Sequence, residues 1–297
     1  MAANGISTLA LKRDRQEAKL ALAAINRAAS GRNSDYDLSQ LPTLYHPTDN
    51  AGALVDNPNS AGLLQGRPWS TSGITFSGLA VDYDPVYAVS GTNIVDQSGN
   101  DRTGVLVGAT HDAANDYFVF DGVNDYIRTP DLYSTTVANP DTFSVASWVY
   151  PTAGGVVVSI ADSTTPSIAY HYSAIELIDS GGSPVPYFGI WNAGIQQANG
   201  SSLNYNQWYH LALTYNGTVA KGYVNGAEVT SVTSVYDSPL DSTSTSHYFL
   251  FGASDATNMG DGSYYNGRMG EMRIYSDGLT GAEVLANYNA SKGRYGY

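Results

Sequence analysis

Cleaving a glycosidic bond takes two carboxyl groups facing one groove, about 5–10 Å apart, so the acidic residues come first. The chain has five glutamates, Glu17, Glu176, Glu228, Glu271 and Glu283, scattered along its length. Nucleophilic catalysis has even less material. There is no cysteine, and the five histidines (His46, His111, His171, His210, His247) stand in no motif that would pair one with a serine or an acid. No ligand spacing suits zinc. The expectation is a protein that is not an enzyme. Binding is better provided for. A sugar site needs an aromatic platform with polar neighbours, and Tyr170-His171-Tyr172, Trp191 and Tyr264-Tyr265 are all flanked by Gly, Ser or Asn. Tyrosine is so frequent, 23 in 297 residues, that an incidental loop position explains any of them equally well.

The elements that would carry such residues are strands. From Thr71 onward the chain is written in short β-prone runs closed by turn dipeptides. Asn-Gly or Asp-Gly occurs at 121–122, 199–200, 216–217, 225–226, 261–262, 266–267 and 277–278. These pairs tolerate positive φ at two successive positions, as two-residue hairpins require. Alternation of bulky apolar and small residues in Phe143-Ser-Val-Ala-Ser-Trp-Val149 and Trp208-Tyr-His-Leu-Ala-Leu-Thr-Tyr215 predicts strands with one buried face. Trp148 and Trp208 are read as core rings and His210 as a hydrogen-bonded structural histidine. Asn225-Gly226 is a hairpin turn, and Leu279–Tyr288, after Gly278, a short helix or turn against the end of the sandwich.

The first 70 residues differ. Ser7 is a plausible N-cap and Gly31 falls where a helix C′ glycine belongs. Between them Leu11, Ala18, Leu22, Ile25 and Ala29 form one helical stripe, which needs a surface to bury it and is expected to make assembly contacts. Pro42, Pro47, Pro58 and Pro68 then punctuate an extended strap. The charge divides along the same line: residues 1–34 carry six Lys/Arg against Asp14 and Glu17, a local +4, so the total of −13 leaves −17 for the rest. An acidic body disfavours nucleic acid and anionic membranes. No apolar run reaches the ~20 residues of a membrane span. The absence of cysteine and of a signal-like N-terminus suits folding in a reducing cytoplasm.

Two resemblances extend this reading. The runs Asn4-Gly-Ile-Ser-Thr-Leu-Ala10, Arg15-Gln-Glu-Ala-Lys-Leu20, Tyr36-Asp-Leu-Ser-Gln-Leu-Pro-Thr43, Val55-Asp-Asn-Pro58 and Gly66-Arg-Pro-Trp69 look like an N-terminal module of cyanophage virion proteins. That implies an attachment arm carrying an exchangeable head. The later segments resemble the laminin-G-like family with its concanavalin-type jelly roll. Among them are Asp96-Gln-Ser-Gly-Asn100, Phe120-Asp-Gly-Val-Asn-Asp-Tyr-Ile127, Gly222-Tyr-Val-Asn-Gly226 and Gly267-Arg-Met-Gly-Glu-Met-Arg-Ile-Tyr275. Gly270 departs from the acidic residue usual there. The resemblance implies calcium at the sandwich rim, with Asp121, Asn124 and Asp125, joined by Asp96 and Asn100, as oxygen ligands. The competing reading is that Asp96 and Asp121 brace their own turns. Glu176-Leu-Ile-Asp179 does not reproduce the acidic strand motif of glycosidases with related jelly rolls.

The fold expected is therefore mainly β: an antiparallel β-sandwich of laminin-G/concanavalin type over residues 72–290, with a helical anchor at 1–34, a strap at 35–71 and a tail at 291–297. The function expected is a virion structural protein of a tailed bacteriophage, assembled in the host cytoplasm. Its partners would be other virion proteins, further copies of itself and a host surface glycan. A polysaccharide depolymerase on the same scaffold is the alternative.

Overall fold

The computed structural model describes residues 74–87, 89–132, 142–161, 171–191, 195–233, 246–254 and 264–297. The stripe residues Leu11, Ala18, Leu22, Ile25 and Ala29 and the proline strap lie outside them. The chain divides into two compact units, residues 77–288 and a second comprising the residues up to 76 with 289–297. The unit of residues 77–288 carries every described strand.

In chain order the strands are β1 (Leu79–Tyr83), β2 (Val89–Ser90), β3 (Asn93–Ile94), β4 (Gly104–Val107), β5 (Thr110–Asp112), β6 (Tyr117–Asp121), β7 (Tyr126–Arg128), β8 (Phe143–Pro151) and β9 (Gly155–Ala161). They continue as β10 (His171–Asp179), β11 (Pro184–Trp191), β12 (Ile195–Asn199), β13 (Tyr209–Tyr215), β14 (Val219–Val224), β15 (Ala227–Thr233), β16 (Tyr248–Phe251) and β17 (Asn266–Tyr275). A helix, α1, runs from Gly281 to Ser291. One sheet has the order β15-β14-β13-β8-β17-β6-β5, with β1 also on β17; the other runs β12-β11-β10-β9-β16-β7-β4-β3-β2. Neighbouring strands pair antiparallel. We call them the first and second sheets.

The core lies between the sheets because each strand of the first sheet turns alternate residues inward. On β8 these are Phe143, Val145 and Val149, on β13 Leu211 and Leu213, and on β17 Met269, Met272 and Ile274, where an irregularity between Met269 and Met272 shifts the alternation by one residue. They meet Val158, Ile160, Phe188 and Phe251 of the second sheet in one apolar cluster. The separation is close enough that Gly222 on β14 sits directly on the Phe188 ring, and a Cβ there would collide with it. The 225–226 turn is the hairpin that its residues predict: Asn225 and Gly226 both have positive φ, +51° and +79°. Asn266-Gly267 is not a hairpin. It opens β17, where Gly267 at φ +145° lies so close to the Tyr150 carbonyl that a side chain has no room. Asp121-Gly122 leads from the first sheet into the second.

Helix α1 begins at a capping box written in the sequence. The Thr280 amide donates to the Glu283 carboxylate (2.8 Å), and the Glu283 amide donates back to the Thr280 hydroxyl (3.3 Å). Its buried side chains Val284 and Asn287 turn toward the outer face of the first sheet rather than the end of the sandwich. Asn287 Nδ2 donates to the Tyr275 hydroxyl at 3.0 Å, and Tyr288 stacks on Trp148 at 5.6 Å between ring centroids. No helix among the described residues is long and apolar enough to cross a membrane.

Candidate functional site

The outer face of the first sheet is built from the residues that alternate away from the core: Tyr117 on β6, Arg268, Arg273 and Tyr275 on β17, Trp148 and Tyr150 on β8, His210 on β13 and Trp208 just before it. Register decides which of them meet. Arg268 stands opposite Tyr150 on one side and Val119 on the other, while Trp148 stands opposite His210.

Helix α1 covers the part of this face around Trp148 and His210. Trp148 is fully buried there, edge-on to His210 at 5.4 Å, with Tyr288 also 6.1 Å from the imidazole. Trp148 is thus a core ring, although it packs beneath the helix and outside the inter-sheet cluster. His210 departs from the expected hydrogen-bonded ring, for its Nδ1 is buried without a hydrogen-bond partner. Desolvation, reinforced by the Arg273 charge and only partly opposed by Glu271, pushes its pKa down to about 3. Nearby, Arg273 Nη2 lies 2.9 Å from Glu271 Oε2 and its Nε 3.3 Å from Asp82 Oδ1, all three side chains buried. Burial disfavours the charged guanidinium, but Glu271 and Asp82 outweigh it and hold Arg273 cationic. This triad belongs to the folding core of the face, not to an open site.

Beyond the helix the same face is open. Arg268 lies over two tyrosine rings presented by the flanking strands, its Cζ 4.8 Å from the centroid of Tyr117 and 4.7 Å from that of Tyr150. Trp208 closes the row, tilted against both rings at 5.5 Å from Tyr150 and 6.1 Å from Tyr117. All four side chains are partly exposed. Trp208, expected in the core, is instead a surface ring, because it sits one residue before β13 on the outward parity. Among the described residues no carboxylate reaches the Arg268 guanidinium. Asp112, at the patch's edge, is held by the Asn115 side chain, the Tyr117 hydroxyl and its own turn, which lower its pKa. The patch therefore combines aromatic rings with the N–H donors of a guanidinium.

The residues singled out from sequence fall elsewhere. Tyr265 is wholly buried, edge-on to Phe120 at 5.7 Å, with its hydroxyl donating to the Arg268 carbonyl at 3.1 Å. Burial raises its pKa well above the usual phenol value, and a ligand cannot reach this ring. Tyr264 is half-buried against a small cluster of Tyr126, Leu250 and Ala253 on the second sheet. Tyr172 and Trp191 are placed by backbone register only, opposite Ile160 and Ile195, and Tyr170 lies outside the described residues.

Four of the calcium candidates make hydrogen bonds within the chain, to their own turns and to the neighbouring strand β1. Asp96 accepts hydrogen bonds from the amides of Asp82 (3.0 Å), Ser98 (2.8 Å) and Arg102 (3.1 Å) and from the Ser98 hydroxyl (2.7 Å). Asn100 donates its amide to the carbonyls of Leu79 and Ala80. Asp121 Oδ1 accepts from the Val123 amide at 2.8 Å, and Asp125 Oδ2 from the Asp121 amide at 2.9 Å. Burial raises the Asp125 pKa, and Asn124 is exposed. Among the described residues no three His, Cys, Asp or Glu side chains group as a metal site.

Of the described glutamates, Glu271 is tied to Arg273, Glu228 pairs at the surface with Lys221 (2.9 Å), Glu283 caps α1, and Glu176 is buried in β10.

Two antiparallel sheets joined around one apolar layer, with one capped α-helix among the described residues lying on the outer face of one sheet, make this a concanavalin-type β-sandwich. Residues 121–285, more than half of the chain, match the family described as the concanavalin A-like lectin/glucanases superfamily, of laminin-G type, and the chain belongs to it. Among solved structures it is similar to domain 4 of AbnA, an extracellular GH43 arabinanase of Geobacillus stearothermophilus, in complex with arabinotriose. The two share 21% identity at a TM-score of 0.50, over 71% of this chain and 98% of that one. It is also similar to Trypanosoma rangeli sialidase (15% identity, TM-score 0.51, 74% of this chain) and to the binding domain of botulinum neurotoxin serotype D/C (13%, 0.51, 72%). The match spans about a third of the sialidase chain, 34%, and about half of the neurotoxin domain, 52%. At these identities the likeness is one of fold. None of the curated proteins matches the sequence.

Proposed function

We propose that this protein is a non-catalytic glycan-binding module displayed on the surface of a tailed-bacteriophage particle, as a head decoration, short fibre or tail adhesin, with residues 1–70 as its attachment arm. The observation that carries the binding half is the open row Tyr117–Arg268–Tyr150–Trp208. It leaves the Trp208 ring and the Arg268 guanidinium partly exposed where the neighbouring part of the outer face is covered by α1. The arabinotriose complex of the similar arabinanase domain supports the same reading. A binding role is also supported by the described glutamates, each engaged in an ion pair, a cap or the interior. The virion half rests on the resemblance of residues 1–70 to phage leader modules.

Three experiments test the proposal. Glycan binding, measured by calorimetry, should fall about fivefold or more in Trp208→Ala, the loss of a stacking ring costing roughly 1 kcal/mol or more. Host polysaccharide should release no reducing ends. Deleting residues 1–70 should leave a folded sandwich that binds glycan and fails to enter particles. Binding unchanged in Trp208→Ala refutes the site, turnover refutes the non-catalytic role, and incorporation of the truncated chain refutes the arm.

A further inference from the structure

Resting on that reading, we infer that the open row selects acidic saccharides, the carboxylate of a uronic-type sugar docking on Arg268 while the sugar ring lies against Trp208.

The first ground is electrostatic. Buried Arg273 shows how the fold neutralises an arginine, supplying Glu271 and Asp82 within 3.3 Å. Arg268, five residues earlier on the same strand, receives neither. The residues flanking it on the same side of the sheet are Tyr117, Val119, Tyr150 and Trp208, and Gly270 brings no side chain. Asp112 and Asp121 on the rim accept hydrogen bonds from their own turns. Among the described residues the Arg268 charge has no anionic partner within ion-pair distance.

The second ground is geometric. A guanidinium lying over two rings is held in place by cation–π attraction, worth about 0.5–1 kcal/mol per ring at exposed sites. An in-plane pair of donors matches the two oxygens of a carboxylate, and an already immobilised fork loses little entropy on binding. Lysine at this position would supply charge without the fork. Trp208 stands at the end of the row, so one ligand bearing a carboxylate beside a ring with an apolar face meets both features. A neutral sugar would use the tryptophan and leave the guanidinium desolvated without compensation, which is the basis of the selectivity.

The probe is polygalacturonate, alginate and hyaluronan, each compared with its methyl ester, which keeps the sugar and removes the charge. Neutral arabinan and xylan form a second arm. Wild-type protein should bind at least one acid form about tenfold or more tighter than its ester, the order of a charged hydrogen-bonded contact, and that preference should shrink with added salt. Arg268→Gln should abolish the preference and Arg268→Lys should restore only the salt-sensitive part, with both variants still folded and unfolding cooperatively. Trp208→Ala should weaken acid and ester alike. Equal binding of acid and ester, or a preference that survives Arg268→Gln, overturns the inference while leaving glycan binding in place. Failure to bind any acidic or neutral polysaccharide overturns the inference and the glycan-binding reading together.

Discussion

His210 should make this domain acid-sensitive in a window that few other groups reach. Its imidazole is buried between Trp148 and Tyr288 with Nδ1 unpartnered, and desolvation and Arg273 hold its pKa at about 3. In the unfolded chain the same group titrates near 6.5. Between these values the unfolded state binds more protons than the folded one, so stability rises with pH and is lost as pH falls from about 6.5 toward 3. At pH 7 the penalty is only ~0.2 kcal/mol; at pH 5 it reaches ~2 kcal/mol, whether the folded value is 3 or 4. For a domain of this size that difference lowers the melting temperature by roughly 4–8 °C. The assay is a pair of melts at pH 7 and pH 5 on wild type and His210→Gln. The variant is less stable at pH 7, having lost fitted packing, but its further loss on going to pH 5 should be smaller than the wild type's by that amount. Every other titrating group is common to both proteins and cancels. Equal declines in the two proteins would show that the imidazole is already protonated or solvated in the fold, and the reasoning would fail.

Three further outcomes rest on the packing. Arg273→Met removes the cation that compensates buried Asp82 and Glu271 and should cost about 3–5 kcal/mol, read as a shift in the denaturant midpoint. Gly222→Val drives a side chain into the Phe188 ring across the sandwich and should destabilise by roughly 1–3 kcal/mol or prevent folding, checked by the same titration. Asp96→Ala strips the acceptor from the buried Asp82 amide and should cost about 1–3 kcal/mol. Its melting temperature should drop equally with calcium and with chelator, whereas a chelator-sensitive wild type would reveal a cation site.

The sandwich was largely legible in the order of the residues. Alternation in Phe143–Val149 and Trp208–Tyr215 marked β8 and β13, Asn225-Gly226 marked a neighbouring hairpin, and Gly278 preceded the short helix or turn expected over Leu279–Tyr288, because period and turn geometry are local properties of a few consecutive residues. Asp96 and Asp121 could be read either as ligands or as turn braces. Only the fold put the Asp82 amide, fourteen residues away, on the Asp96 oxygen.

The candidate site was not legible at all. Tyr117, Tyr150, Trp208 and Arg268 come from four segments whose order in the sheet, β6 beside β17 beside β8 beside β13, no local pattern specifies. Nor could spacing tell Trp148 from Trp208, which share an outward parity. They differ because α1 folds back over one and stops short of the other, so the same residue type becomes a buried ring in one place and an exposed one in the next row. What the sequence determined by itself was the alternation that makes each strand two-faced. Which part of the outward face stays open to a ligand was decided by tertiary structure, through sheet register and the reach of a single helix.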